Sequence, residues 1–94
     1  MSLVKEVLQT PSFKKAVKKL HPNQKKDLDN VIYSLMKTPE MGEKKKGDLA
    51  YLRVYKFKMA KQETLLGYSY YKEQLVLELL ALGSHENFYR DLKN

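Results

Sequence analysis

Cysteine is absent from this 94-residue chain, and histidine occurs only twice, at His21 and His85. Without thiols there is no disulfide scaffold, no thiolate nucleophile and no cysteine-bound zinc, and two histidines so far apart are too few for a structural metal site. No cofactor is expected. Long apolar runs are also missing. The richest stretch, Leu75 to Leu82 with Glu78 inside it, falls far short of the ~20 residues that cross a bilayer. The N-terminus lacks the basic-then-apolar pattern of a secretory signal, so the sequence predicts a soluble, cytoplasmic protein with no membrane partner. There is no internal repeat and no low-complexity linker. The length suits a single domain over residues 1–94 with one modest core.

Positive charge is what the chain has in excess. Eighteen Lys+Arg against 11 Asp+Glu give a net charge of +7. That balance favours a polyanionic partner, because neutralised phosphates release their counterions. Nucleic acid and the nucleic-acid-rich ribosome are the natural candidates.

Periodicity divides the chain. Leu3 to Gln9 alternates and predicts a first strand near a sheet edge. Thr10-Pro11 is a helix start, and Phe13, Ala16, Val17 and Leu20 follow at helical spacing with Lys14, Lys15, Lys18 and Lys19 outside. His21-Pro22-Asn23 breaks this helix and opens another, whose stripe is Leu28, Val31, Ile32, Leu35 and Met36. Thr38 to Gly42 ends the helical hairpin, and Glu43 to Gly47 reads as a basic loop. From Leu49 to Lys58 the period becomes two, with Tyr51, Arg53, Tyr55 and Phe57 on one side. Met59 to Gln62 connects a hairpin without an Asn-Gly or Asp-Gly signature, and Thr64 to Tyr71 forms the next strand. After Lys72-Glu73-Gln74 comes the apolar run, read as a strand covered on both faces, which ends at a permissive Gly83. Ser84 then caps a short helix. The predicted class is α+β, a helical hairpin packed on a small, twisted, mainly antiparallel sheet, in the order β-α-α-β-β-β with a short C-terminal helix. The other sheet face would remain free.

Arg53, Lys56, Glu63, His85 and Tyr89 would meet if the three central strands are adjacent. The set suits RNA. Attack of a 2′-hydroxyl on the neighbouring phosphodiester needs a base, an acid for the leaving oxygen, and cations for the charge growing on phosphorus. Histidine titrates near neutrality, arginine offers a fork matched to phosphate, and Tyr89 can stack on a base or orient the phosphate. Each residue also has a plainer reading. His85 fits a helix-end histidine bonded to backbone, and Arg53 fits an ion pair with Glu63 or Glu78. Phe88 pins the last helix to the core, Lys44-Lys45-Lys46 fits a solvated loop, and His21 fits a turn.

The whole chain resembles the RelE/ParE superfamily of toxins from type II toxin–antitoxin modules. The resemblance is carried by Gly47-Asp-Leu-Ala-Tyr-Leu-Arg53-Val-Tyr, by Leu65-Leu-Gly-Tyr68, and by Leu79-Leu-Ala-Leu-Gly-Ser-His-Glu-Asn-Phe-Tyr89. It implies one of two activities, ribosome-dependent cutting of messenger RNA or poisoning of DNA gyrase without an active site. Gly83-Ser-His85 with an aromatic at position 89 is most similar to the YafQ branch of the nucleases. That likeness implies His85 as catalytic, Tyr89 as its assistant, Arg53 on phosphate and Glu63 near the branch's acidic residue. Leu65 stands where many members carry arginine, and Lys56 near a histidine of that branch, which leaves His85 as the candidate for proton transfer. Lys44, Lys45, Lys46, Lys58 and Arg90 are expected on RNA or the ribosome. A small antitoxin with an acidic amphipathic segment is the expected protein partner.

Overall fold

The computed structural model describes residues 3–92, with the backbone alone at 90–92. Three helices, α1 (Pro11–Lys18), α2 (Pro22–Lys37) and α3 (His85–Leu92), accompany five strands. The strands are β1 (Glu6–Gln9), β2 (Glu43–Lys44), β3 (Arg53–Met59), β4 (Gln62–Tyr71) and β5 (Val76–Gly83). They form one sheet in the order β1-β5-β4-β3-β2. The β1 strand lies parallel to β5 at one edge, and the other pairs are antiparallel. This is the α+β architecture read from the sequence, with the first strand at an edge beside the last.

Local chemistry accounts for the helical hairpin. Thr10 Oγ1 accepts from Phe13 N at 3.2 Å and donates to Leu80 O at 3.1 Å, so one side chain caps α1 and ties it to β5. His21 N donates to Gln24 Oε1 at 2.8 Å at the start of α2. The apolar stripes place Phe13, Leu28 and Leu35 against Met59, Leu66, Tyr68, Leu77 and Leu79 of the sheet. That is the main core.

Tyr68 is its polar anchor. It is fully buried, and its Oη donates to Pro39 O at 2.7 Å and accepts from Gly42 N at 2.9 Å. Burial pushes the phenol above its usual 10.0, with the Gly42 N–H and the Arg53 charge pulling the other way. A group whose folded pKa is raised holds its proton more tightly folded than unfolded. Its contribution is therefore intact below about pH 10 and is lost as pH rises through the folded value. Tyr68→Phe strands one buried carbonyl and one buried N–H and is expected to cost about 1–3 kcal/mol at neutral pH. It should also flatten the alkaline decline, and urea titrations at pH 7 and above pH 10 read both effects.

The structure departs from the sequence reading in several places, and the first strand begins at Glu6 and not at Leu3. Residues 43–47 are not all loop, because Glu43 and Lys44 pair with Val54 and Arg53 as an edge strand and Lys45 N donates to Leu52 O at 2.9 Å. Main-chain pairing does not depend on apolar side chains, and charge is usual on an edge. The strand expected from Leu49 begins at Arg53, since Gly47–Leu49 form a 3₁₀ turn with Gly47 at φ +66. At the other end, Leu75 sits in the turn at φ +57, so the apolar strand begins at Val76, and Gly83 is an ordinary strand residue facing Leu65. Lastly, the second sheet face is partly covered, because Phe88 of α3 packs on Leu52, Val54 and Leu65.

The β3–β4 hairpin closes on Ala60 at φ 51 and Lys61 at φ 72, where an Asn-Gly pair is the favoured solution. Asp27 Oδ2 accepts from Ala60 N at 2.7 Å and holds the turn to α2. A left-handed L-residue costs roughly 1–2 kcal/mol. Ala60→Asn combined with Lys61→Gly is therefore expected to raise stability by about 1 kcal/mol or more. A thermal melt no higher than that of the parent would contradict this account of the turn.

Candidate functional site

Where β5 ends, Ser84 starts α3. Its Oγ accepts from Asn87 N at 3.4 Å and its carbonyl from Phe88 N at 2.8 Å. His85 and Tyr89 are four residues apart on this helix and so share a face. Their rings meet edge-on at a centroid distance of 5.2 Å, and Phe88 sits beneath, 5.0 Å from Tyr89. The buried Phe88 thus fixes the helix that presents the two exposed-side rings.

The sheet supplies the cations. Alternation along β3 turns Val54 toward Phe88 and turns Tyr55 and Phe57 toward the helical hairpin. Lys56 follows Val54. Glu43 pairs with Val54, so Glu43 and Lys45 of the β2 segment reach the same side. Glu43, Lys45, Val54, Lys56, Leu65, His85 and Tyr89 together line a shallow depression of about 170 Å³. Lys45 Nζ lies 5.7 Å from the centre of the Tyr89 ring and 3.0 Å from Glu43 Oε1. Lys56 Nζ is 3.4 Å from Glu63 Oε1, between side chains more than half exposed. Such a surface pair contributes little to stability.

The Lys45–Glu43 hydrogen bond and the lysine's charge hold the Glu43 carboxyl below the usual carboxylate range. The same bond, then the Tyr89 hydroxyl, raise Lys45. Both groups stay ionised across the neutral range. An incoming phosphate would meet a fixed ammonium beside an aromatic edge and a histidine.

The structure thus brings His85, Tyr89, Lys56 and Lys45 into one cavity, with Glu63 at its rim through Lys56 and Lys58 opposite Glu63 across the β3–β4 ladder. It does not bring Arg53 there. Arg53 has the parity of Tyr55 and Phe57, and its Nη1 donates to Glu40 O at 3.2 Å and to Gly42 O at 3.0 Å. Strand adjacency was the right expectation, but a period of two sends neighbouring residues to opposite faces. Neither Glu63 nor Glu78 partners Arg53, because Glu63 faces Lys56 and Glu78 accepts from Tyr71 Oη at 2.9 Å. Lys44 pairs with Arg53 and follows it, Lys46 is exposed before the 3₁₀ turn, and the Arg90 side chain lies outside the described residues.

The His85 ring makes no hydrogen bond among the described residues and is exposed, so the reading as a backbone-bonded helix-end histidine finds no support. Sequence reasoning missed Glu43. Its two-residue spacing from Lys45 was the available signal, legible only once the segment is known to be extended. Among the described residues no group of three or more His, Asp or Glu side chains could hold a metal ion, and no helix is long and apolar enough to cross a membrane.

Residues 7–93 match the model of a family described as ParE-like toxin of type II bacterial toxin–antitoxin system. Among solved structures the chain is similar to a mutant of the E. coli toxin RelE in the free state, at 18% identity and a TM-score of 0.70, covering 93% of this chain and 87% of that one. It is also similar to a RelE mutant in complex with an antitoxin RelBc peptide, at 16% identity and a TM-score of 0.67 over 95% and 94% of the two chains. A third likeness is to the intact E. coli RelBE toxin–antitoxin complex, at 18% identity and a TM-score of 0.67 over 83% and 93%. At such identities these likenesses establish a shared fold. No curated protein matches the chain significantly.

Proposed function

Since the chain belongs to the ParE-like toxin family of type II bacterial toxin–antitoxin systems, we propose that it stops translation in the cytoplasm by cutting messenger RNA on the ribosome. The observation that carries this reading is the meeting of His85 and Lys45 on one ring, 5.2 Å and 5.7 Å from Tyr89. The 2′-oxygen attacks the adjacent phosphorus, its proton passes to Glu63, and the 5′-oxygen leaves with a proton from His85, giving a 2′,3′-cyclic phosphate and a free 5′-hydroxyl. Glu43 instead holds Lys45, whose hydrogen bond lowers the carboxylate's proton affinity. Lys45 and Lys56 take the place assigned from sequence to Arg53, stabilising charge on the phosphoryl oxygens. Tyr89 orients the phosphate between them. Lys46 and Lys58, both exposed, contact ribosomal RNA. A cognate antitoxin is the protein partner, in keeping with the family and with a RelE neighbour seen with a RelBc peptide.

A second reading, a DNA gyrase inhibitor with no active site, draws on one observation. Leu65 is buried beneath Phe88, so no arginine reaches the cavity from that position. Primer extension on a defined message in a reconstituted translation reaction, with antitoxin-free protein, separates the two. Cuts within codons that require ribosomes are the expected result. Intact message, with DNA breaks accumulating in a gyrase reaction, would replace the nuclease reading with the second.

A further inference from the structure

A second concavity of about 320 Å³ lies at the opposite end of the strands from His85, where β4 ends and β3 begins. Its lining includes Lys44, Tyr51, Arg53, Tyr71 and Lys72, with Glu40 the carboxylate among them. We infer that this cavity is a subsite for one nucleotide of a single-stranded RNA, one base lying against Tyr51 or Tyr71 and its phosphate against Arg53, Lys44 and Lys72. The identity of the strand rests on the RNA reading above; the binding itself does not require cleavage.

Three features carry the inference. First, both rings are exposed, one on an anchored main chain and the other held through its hydroxyl. Tyr51 is 54% and Tyr71 45% accessible, while Ser69 Oγ donates to Tyr51 O at 2.7 Å and Tyr71 Oη donates to Glu78 Oε1 at 2.9 Å. Large aromatic surfaces left open on a small domain suit stacking, which every base can offer. Second, the Arg53 guanidinium is anchored through Nη1 alone, to the carbonyls of Glu40 and Gly42. Its remaining N–H groups have no partner among the described residues, and a planar fork with free donors is matched to phosphate oxygens. Three cations outnumber the Glu40 carboxylate of the lining and the Glu78 carboxylate that holds Tyr71, and the volume is at the lower end of ligand-sized clefts, about 300–1,000 Å³.

The third feature is continuity with the first site. Lys44 and Lys45 are successive residues of the β2 segment, so alternation sends one to each cavity. A strand crossing this edge would leave one lysine and meet the next. The second cavity would then hold the message while His85 acts on a linkage further along the strand.

The test is fluorescence anisotropy with a labelled single-stranded heptaribonucleotide and the full chain, without ribosomes. Tyr51→Ala, which removes no charge, is expected to weaken binding about fivefold or more. Lys72→Ala should weaken it and make its salt dependence shallower, whereas Lys25→Ala, an equal loss of charge on α2, should leave it within twofold. Free adenosine monophosphate in excess should displace the labelled strand less readily from Tyr51→Ala than from the parent. Tyr51→Ala binding as tightly as the parent, or Lys25→Ala losing as much as Lys72→Ala, would overturn the subsite and reduce the binding to diffuse charge. Because no cutting occurs in this assay, an inactive His85 cavity would leave its outcome untouched, and a failure here would leave the cutting reaction standing.

Discussion

His85→Ala is expected to leave the protein folded and to lower ribosome-dependent cutting by about 10²–10⁴-fold, the usual range for a positioned general acid. The fold should not notice the change. His85 is exposed at the first turn of α3, its ring makes no hydrogen bond among the described residues, and it meets Tyr89 edge-on, while Phe88 keeps the helix in place. The kinetic signature matters as much as the size of the loss. An acid used only in the transition state should lower kcat with little change in KM, whereas Lys56→Ala, which weakens the grip on phosphate, should move both. Arg53→Ala supplies the contrast. It faces the opposite side of the sheet, so the chemical step should survive it. Normal cutting by folded His85→Ala, or a larger kcat loss from Arg53→Ala, would withdraw the assignment of the cavity.

That contrast also shows what the sequence could and could not disclose. Helices were legible because Thr10-Pro11 and His21-Pro22 mark their starts and the stripes of Phe13 and Leu28 repeat at helical spacing. The hairpin of β3 and β4 was legible from alternation. Alternation also put Arg53 with Tyr55 and Phe57, on the side away from Lys56, but which of the two faces the helices cover was not legible. The sheet can be entered in two registers, and the choice is set by which residues the helical hairpin covers, a tertiary fact. Tyr55 and Phe57 go under α1 and α2, and Arg53 goes with them. Likewise, β2 has no apolar pattern to reveal it. It exists because Arg53 and Val54 offer a free edge, and that pairing is what carries Lys45 to Tyr89. Local spacing along one helix was therefore enough to put His85 beside Tyr89. Which strand-borne residues join them depends on register and on β2, which local spacing does not show.

The helix-borne half of the site stands on a single glycine. Gly67 lies in β4 between Val54 and Ala81, and a Cβ there would sit 2.6 Å from Phe88 Cζ and 3.1 Å from Leu52 Cδ1. Its φ is not left-handed, so the requirement is for space and not for backbone freedom. Phe88 is 1% exposed among Leu52, Val54 and Leu65, and its ring cannot yield without lifting α3. Gly67→Ala is thus expected to cost about 1–3 kcal/mol through overpacking. It should also suppress cutting, since His85 and Tyr89 travel with α3, while the main core under α1 and α2 keeps its far-ultraviolet circular dichroism. Shortening the opposing side chain separates this mechanism from a general loss of strand propensity. Phe88→Leu alone should destabilise by about 1 kcal/mol or more, yet in the Gly67→Ala background it makes room for the methyl group. The two changes should then combine to less than their sum, with a coupling of roughly 0.5–3 kcal/mol in a urea double-mutant cycle. Strict additivity would mean that the Gly67 methyl and the Phe88 ring do not compete for the same space, and the glycine would need another reason to be there.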